Sequence, residues 1–525
     1  MSNKYQNDVK KIKSDLSRFT DISFIKNLMK HFNEGEKHGY SLVKKFPWCC
    51  FLALKWKLGG SGSNSVDMTE RDFKKIINAV FNLQSHAADF KVDLPIDLQL
   101  RRFVIPQLLF QNTHAFYFES VTRQYQWFCK SENGYFNKVF EEETKLDLDD
   151  YYGITLCLIL LSSTHRSNES FSMSYGELLV KLSPYYSIDA ISRYVKLVSL
   201  DVGKMKDYCG EYINSSNPQW EYFEDTPLLF KPIITHNNYL HFISKTVFIS
   251  GVSNLVPFLL KKKKKEEFKT EFGSLLEEYL GDVINYSGYK YIAEDKVKDI
   301  YRENSIKGKV VDYIIFEDTA TVFIDSKAIE PEVVVKTSDS PEQLKSRLDG
   351  SFIKGIEQSQ ACACILEKCK KYTPSHKDVA LIVTHKDHFI STGRKVCDLI
   401  STSLVKKIEN EYEKIRIPLT RTYYITIDDF EALIELCKVK QISISDVVNV
   451  FEEKDSDNIT MRFNFYQHIR EVSDIQDSAH PFIEQLKETL FDQAVDILKH
   501  NKKSWSGEID RYLFYTSQLT KKIHA

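Results

Sequence analysis

The stretch Gly308 to Lys327, GKVVDYIIFEDTATVFIDSK, constrains the fold more than any other part of the chain. Two runs rich in Val, Ile, Phe and Tyr flank Glu317-Asp318-Thr319-Ala320, the pattern of a β-hairpin. With a symmetric two- or four-residue connection Phe316 pairs with Thr321, and the same register sets Asp312 directly opposite Asp325 on one face. A three-residue loop or a bulge would turn one aspartate to the other face.

Like charges opposite each other destabilise a sheet, and a carboxylate among Val, Ile and Phe is costly to bury, so the pattern calls for a cation. Lys327 lies two residues beyond Asp325 and projects from the same face. An oxygen-only donor set suits Mg²⁺, or Mn²⁺, far better than zinc. Such an assembly has the parts to hydrolyse phosphodiesters: the metal neutralises non-bridging oxygens and activates a water, while the lysine positions the nucleophile or stabilises developing charge. A further acid is expected from the preceding helix, whose apolar stripe is Phe272, Leu275, Leu276, Tyr279, Leu280, Val283 and Ile284. Glu277 sits at the edge of that stripe and Glu278 closer to the solvated side, so Glu277 is the expected third acid.

In this order and spacing, over about a third of the chain, the sequence resembles the PD-(D/E)XK nuclease superfamily. The resemblance implies Glu277 as the helix acid, Asp312 as the metal-binding aspartate and Asp325-Ser326-Lys327 as the (D/E)XK element, with the Ser326 carbonyl as an additional ligand. It also implies a polar residue on the helix after the third strand, for which Lys354, Gln358 and Gln360 are candidates and Gln358, one turn after Lys354, is the first choice. Val311 stands where the family's name has proline, a difference that bears on the bend of the strand. By the same resemblance the cofactor is Mg²⁺ or Mn²⁺, the partner is nucleic acid, DNA in the first place, and the setting is bacterial restriction or anti-phage defence. A homodimer or a partner protein is compatible with it.

Around the hairpin the pattern predicts a helix over 266–286, strands over 289–296, 309–316 and 321–329, a helix over 341–371, a strand over 378–385, a helix over 392–413 and a strand over 421–427. That is an α/β nuclease core, a mixed central sheet flanked by helices. The organisation expected is a mainly helical region over 1–255 with a short β-rich end (Leu228 to Val252), the core over 256–440, and a helical region over 441–525. Gly59-Gly60-Ser61-Gly62-Ser63 reads as a surface loop, and Lys261 to Lys265 as solvated charge at a helix start or a phosphate contact. Ser174 to Leu182 and Ser187 to Leu200 form two amphipathic patterns, with Ser174 and Glu177 fitting a capping box. As a helix-turn-helix this pair would make the chain a non-catalytic nucleic-acid-binding or regulatory protein. With only Arg193 and Lys196 as positive charge on the second helix, two packed helices is the plainer reading.

Composition adds limits. A length of 525 residues suggests two to four structural units. A net charge of −2 means that any nucleic-acid contact comes from a local basic face. Ten cysteines without disulfide spacing, and a polar, charged start (MSNKYQNDVKKIKSDL), point to a reducing cytoplasm. The run Ile154 to Leu161 is far short of the roughly 20 residues that span a bilayer. Neither a phosphate-binding G-x-x-x-x-G-K-[ST] loop nor a G-x-S-x-G elbow is present. Cys362, Cys364 and Cys369 read as small core thiols rather than zinc ligands, and His385 and His388 as ordinary loop histidines.

Overall fold

The computed structural model describes residues 2–525 except 35–41, 61, 63–64, 89, 112–113, 132, 165–168, 213–218, 458–459 and 473–480. Part of the expected Gly59–Ser63 loop lies outside the described residues. The chain is mixed α/β with two mixed sheets. It forms two compact units, one of Met1–Lys91, Phe103–Lys265 and Phe482–Ala525, the other of Val92–Arg102 and Glu266–Pro481. Among the described residues no helix is long and apolar enough to cross a membrane.

The first unit is mainly helical and carries a four-stranded sheet of β1 (Phe171–Ser174), β2 (Ser199–Asp201), β3 (Ile233–His236) and β4 (Tyr239–Phe242) in the order β1-β4-β3-β2. The two amphipathic patterns form helices Tyr175–Leu182 and Ile188–Val198, capped by Ser174 and Ser187, whose hydroxyls accept the Glu177 and Ala190 N–H groups. Helix Ile509–His524 packs against both of them. Lys522 pairs with Asp189 at 2.6 Å. Arg193 donates to the Lys145 carbonyl at 2.5 Å.

The β-rich reading of Leu228 to Val252 is half corrected. β3 and β4 form, but Thr246 to Ser250 lie in helix Lys245–Lys263, capped by Ser244. Val247, Phe248, Ile249, Val252 and Val256 are all buried, and a helix apolar all round shows no stripe to separate it from a strand. The lysine run spans the junction between this helix and the next, and Lys263 pairs with Glu143 at 2.7 Å.

The second unit is built on a five-stranded sheet, β5 (Tyr291–Ala293), β6 (Tyr313–Phe316), β7 (Thr321–Lys327), β8 (Val379–Thr384) and β9 (Thr422–Thr426), in sequence order. β5, β6 and β7 pair antiparallel, and β7, β8 and β9 parallel. The parallel pairs follow from helical crossovers, because a tight turn can join only antiparallel strands. Four helices matter for the site: α1 (Lys265–Ser287), α2 (Glu294–Glu303), α3 (Lys354–Lys368) and α4 (Ile427–Lys440). On one face Ile314 and Phe323 pack with Val297 and Tyr301 of α2 and Cys362, Ala363 and Leu366 of α3. On the other, the Tyr313 hydroxyl donates to the Glu277 carbonyl of α1 at 2.9 Å, and Tyr279 of α1 bonds Glu431 of α4.

Several expected boundaries move. The strand over 289–296 ends at Ala293, and Glu294 opens α2. The strand over 309–316 starts only at Tyr313. The helix over 341–371 divides into Pro341–Leu348, a π turn Asp349–Ile353 and α3, and the helix over 392–413 divides likewise. Of the expected C-terminal region, residues up to Pro481 join the second unit and Phe482–Ala525 the first. Val92–Arg102 also joins the second unit. There Leu98 packs with Phe352, Ile382 and Tyr424, and the Arg101 guanidinium donates to the His388 and Phe389 carbonyls at 2.6 and 3.0 Å.

Candidate active site

The hairpin has the register read from its sequence, with Phe316 opposite Thr321 and Tyr313 opposite Ile324. The Glu317 N–H closes the loop by donating to the Ala320 carbonyl at 3.0 Å. The ladder stops at Tyr313, so Asp312 stands one residue beyond it. Its Oδ2 accepts the Ser326 N–H and the Ser326 hydroxyl, both at 2.6 Å. This corrects the expectation of two aspartates squarely facing each other: past the end of the ladder, the Asp312 side chain replaces a missing backbone acceptor and is drawn to Ser326.

Asp325 lies two residues from both Phe323 and Lys327 and so shares the α2/α3 face with them, 1% exposed. Among the described residues no backbone N–H or hydroxyl reaches either of its oxygens; its close partner is the Lys327 ammonium. Lys327 also donates to Gln358 Oε1 on α3 at 3.1 Å, and Gln358 Nε2 donates to the Val310 carbonyl at 3.1 Å. Gln358 therefore ties the end of β7 to the segment that carries Asp312. Gln360, a sequence candidate for the same role, instead accepts from Arg416 and Ile417 backbone N–H groups and lies in the core.

Glu277 of α1 is half-buried while Glu278 is exposed, as the stripe implied. Glycine at position 281 lets Tyr313 in: a Cβ there would sit 2.5 Å from the Tyr313 hydroxyl. Burial, with the Asp312 charge next and Glu294 after it, raises Glu277 to about 7. Burial also raises Asp325 to about 7, against the pull of Lys327 and with the help of Asp312. Asp312 itself is raised by burial, in part offset by its bonds from Ser326. Asp312 is thus the shared electrostatic neighbour of an acid on each face of the sheet. Glu294, in the first turn of α2, acts on both Glu277 and Asp312 and was missed. Its signal was the spacing of Val297, Ile300 and Tyr301 behind Glu294 and Asp295, an amphipathic helix start.

No group of three or more His, Cys, Asp or Glu side chains is arranged to hold a metal among the described residues. Mg²⁺ needs fewer, because it keeps several waters and takes one or two carboxylates. Asp325 meets the Lys327 ammonium through Oδ2 and has no donor at Oδ1, and Asp312 has committed only one of its own oxygens. That pair fits a hard divalent cation. The expected ligand Ser326 stands opposite Val383 in the β7–β8 ladder, its N–H and hydroxyl given to Asp312.

His385 and His388 lie in the loop after β8, as expected, and are buried there, each 3% exposed. His385 follows Thr384, the partner of Lys327, and meets the Phe272 ring at 4.9 Å and Glu330 at 3.5 Å. Burial drives His388 down to about 3, so it stays neutral. Cys362 and Cys364 are buried free thiols, and Cys369 is a free thiol at the end of α3. The chain matches no protein-family model, no curated protein and no solved structure.

Proposed function

We propose that the second unit is a divalent-metal-dependent nuclease of the PD-(D/E)XK kind, acting on nucleic acid and in the first place on DNA. The observation that carries this reading is Asp325: a buried carboxylate that receives no backbone N–H or hydroxyl, its charge met by Lys327 alone, beside Asp312 at the carboxyl end of β7. A buried acid with one oxygen left unpaired is expensive, and a divalent cation at that oxygen would offset the cost. The carboxyl ends of parallel strands are also where open α/β sheets bind ligands.

Asp325 and Asp312 would hold Mg²⁺ or Mn²⁺, with Glu277 as the electrostatic neighbour of Asp312 from the α1 side. When bound, the ion supplies Lewis acidity to a phosphate oxygen and lowers the pKa of a water. Lys327, held by Gln358, positions that nucleophile or stabilises charge on the phosphate. Ser326 orients Asp312, and Glu277, raised to about 7, exchanges a proton near neutral pH. Restriction or anti-phage defence is the biological setting that the family resemblance suggests. The test is cleavage of linear, circular and single-stranded DNA and of RNA with Mg²⁺, Mn²⁺ or EDTA. Cleavage is expected only with metal, and Lys327→Ala should abolish it while the far-ultraviolet spectrum stays unchanged. Equal cleavage by Lys327→Ala would overturn the reading.

A further inference from the structure

The segment Lys309 to Val311 delivers Asp312 to the site, yet it lies outside any strand. Three side chains from the α2/α3 layer hold it instead. The Tyr301 hydroxyl donates to the Lys309 carbonyl at 3.0 Å, Gln358 Nε2 donates to the Val310 carbonyl at 3.1 Å, and the Lys309 ammonium donates to Glu357 at 2.7 Å. Glu357 is 6% exposed and neighbours Gln358 on α3. It takes a second ammonium from Lys407.

We propose that Glu357 is a positioning residue for Asp312, acting through Lys309. The inference rests on the nuclease reading of the same site. Asp312 has one anchor downstream of its own position, Ser326, and the direction in which its second oxygen faces is set by how firmly the preceding three residues are held. Tyr301 and Gln358 grip the backbone of that segment, and Glu357 grips its side chain. The lysine ends of the Glu357 pairs are 37% and 59% exposed, so solvent screens them and their part in overall stability is small. Lys407 leads to α3 from elsewhere in the unit and not to the Asp312 segment. Glu357 therefore has one link to the site and one that leads away from it.

The experiment is a calorimetric titration of the full chain with Mn²⁺, alongside its metal-free thermal midpoint. Glu357→Gln and Lys309→Met are both expected to weaken Mn²⁺ binding about 10- to 100-fold, the range for residues that orient metal ligands, with the midpoint little changed. Lys407→Ala should bind Mn²⁺ as the parent does. Excess Mn²⁺ should restore cleavage by Glu357→Gln and Lys309→Met. Should these two variants bind Mn²⁺ like the parent, or Lys407→Ala lose as much as they do, the positioning role is wrong while the nuclease reading stands. A parent chain that neither binds Mn²⁺ nor cleaves nucleic acid overturns the nuclease reading and this inference with it.

Discussion

Two hairpins among the described residues treat their backbones differently. In the first unit β3 and β4 are joined by Asn237 and Asn238, at φ 49° and 64°, and pair from Ile233 opposite Phe242 through His236 opposite Tyr239. Their buried residues are Ile233, Ile234, Thr235, Leu240 and Phe242, with no charge among them. In the second unit β7 runs three residues past its last partner on β6. Those three are Asp325, Ser326 and Lys327, and Ser326 obtains its acceptor from the Asp312 side chain. A ladder that closes on itself leaves side chains free to pack. One that stops short leaves an N–H that needs an acid, and that acid then stands next to another. The charged chemistry gathers where the β6 ladder runs out.

Removing that charge gives the largest expected effect. Asp325→Asn keeps the shape but takes away a carboxylate that only the Lys327 ammonium meets. Cleavage should fall by about 10³-fold or more, in line with the loss of a group that works on transition-state charge. Above pH 7 the metal-free chain should become more stable, not less, because burial outweighs the Lys327 pairing and holds the Asp325 carboxyl up at about 7. A variant that cleaves normally, or that is destabilised without metal, would remove the contrast between the hairpins.

The same charge should appear in the pH dependence of stability. Asp325 goes from an ordinary 3.8 to about 7 in the fold. Below about 4 it is neutral in both the folded and the unfolded chain, so its full favourable contribution is present there. Between about 4 and 7 only the unfolded chain ionises, stability falls, and above about 7 the loss is complete. The loss is on the order of 4 kcal/mol for a shift of this size. Glu277, also raised to about 7, acts in the same direction by a smaller amount because it is only half-buried. Urea unfolding in EDTA from pH 4 to 8, with the Asp325→Asn chain as reference, isolates this slope from groups such as His388 that are shifted the other way, and saturating Mg²⁺ should flatten or reverse it. A difference between parent and Asp325→Asn that stays constant over this range in EDTA, or that moves in the parent's favour as pH rises, would contradict the raised Asp325 carboxyl.

Gln358, which reaches Lys327, was singled out by the family resemblance, whereas the register of β6 and β7 and the helix α1 with Glu277 at its apolar edge were legible because each follows from alternation or helical period. Three features were not. The course of Asp312 depends on the ladder ending at Tyr313, and nothing in Val310-Val311 signals that end, since both residues suit a strand. Helix Lys245–Lys263 hid behind β-branched residues because burial on all sides overrides propensity. The joining of Val92–Arg102 to the second unit, through Leu98 and Arg101, is a long-range contact to which local pattern is blind.

The smallest effect sharpens the other side of the comparison. Both central residues of the β3–β4 turn have positive φ, the requirement of a type I′ turn, which asparagine tolerates and alanine does not. Asn237→Ala should cost about 1 kcal/mol and shift the urea midpoint of the first unit, while Asn237→Gly should be near neutral. Neither should alter Mn²⁺ affinity or cleavage, because the turn carries no ligand and its ladder is complete. If Asn237→Ala reduces cleavage at temperatures where the chain stays folded, the β3–β4 hairpin is more than a self-satisfied support, and the division between a structural and a chemical hairpin fails.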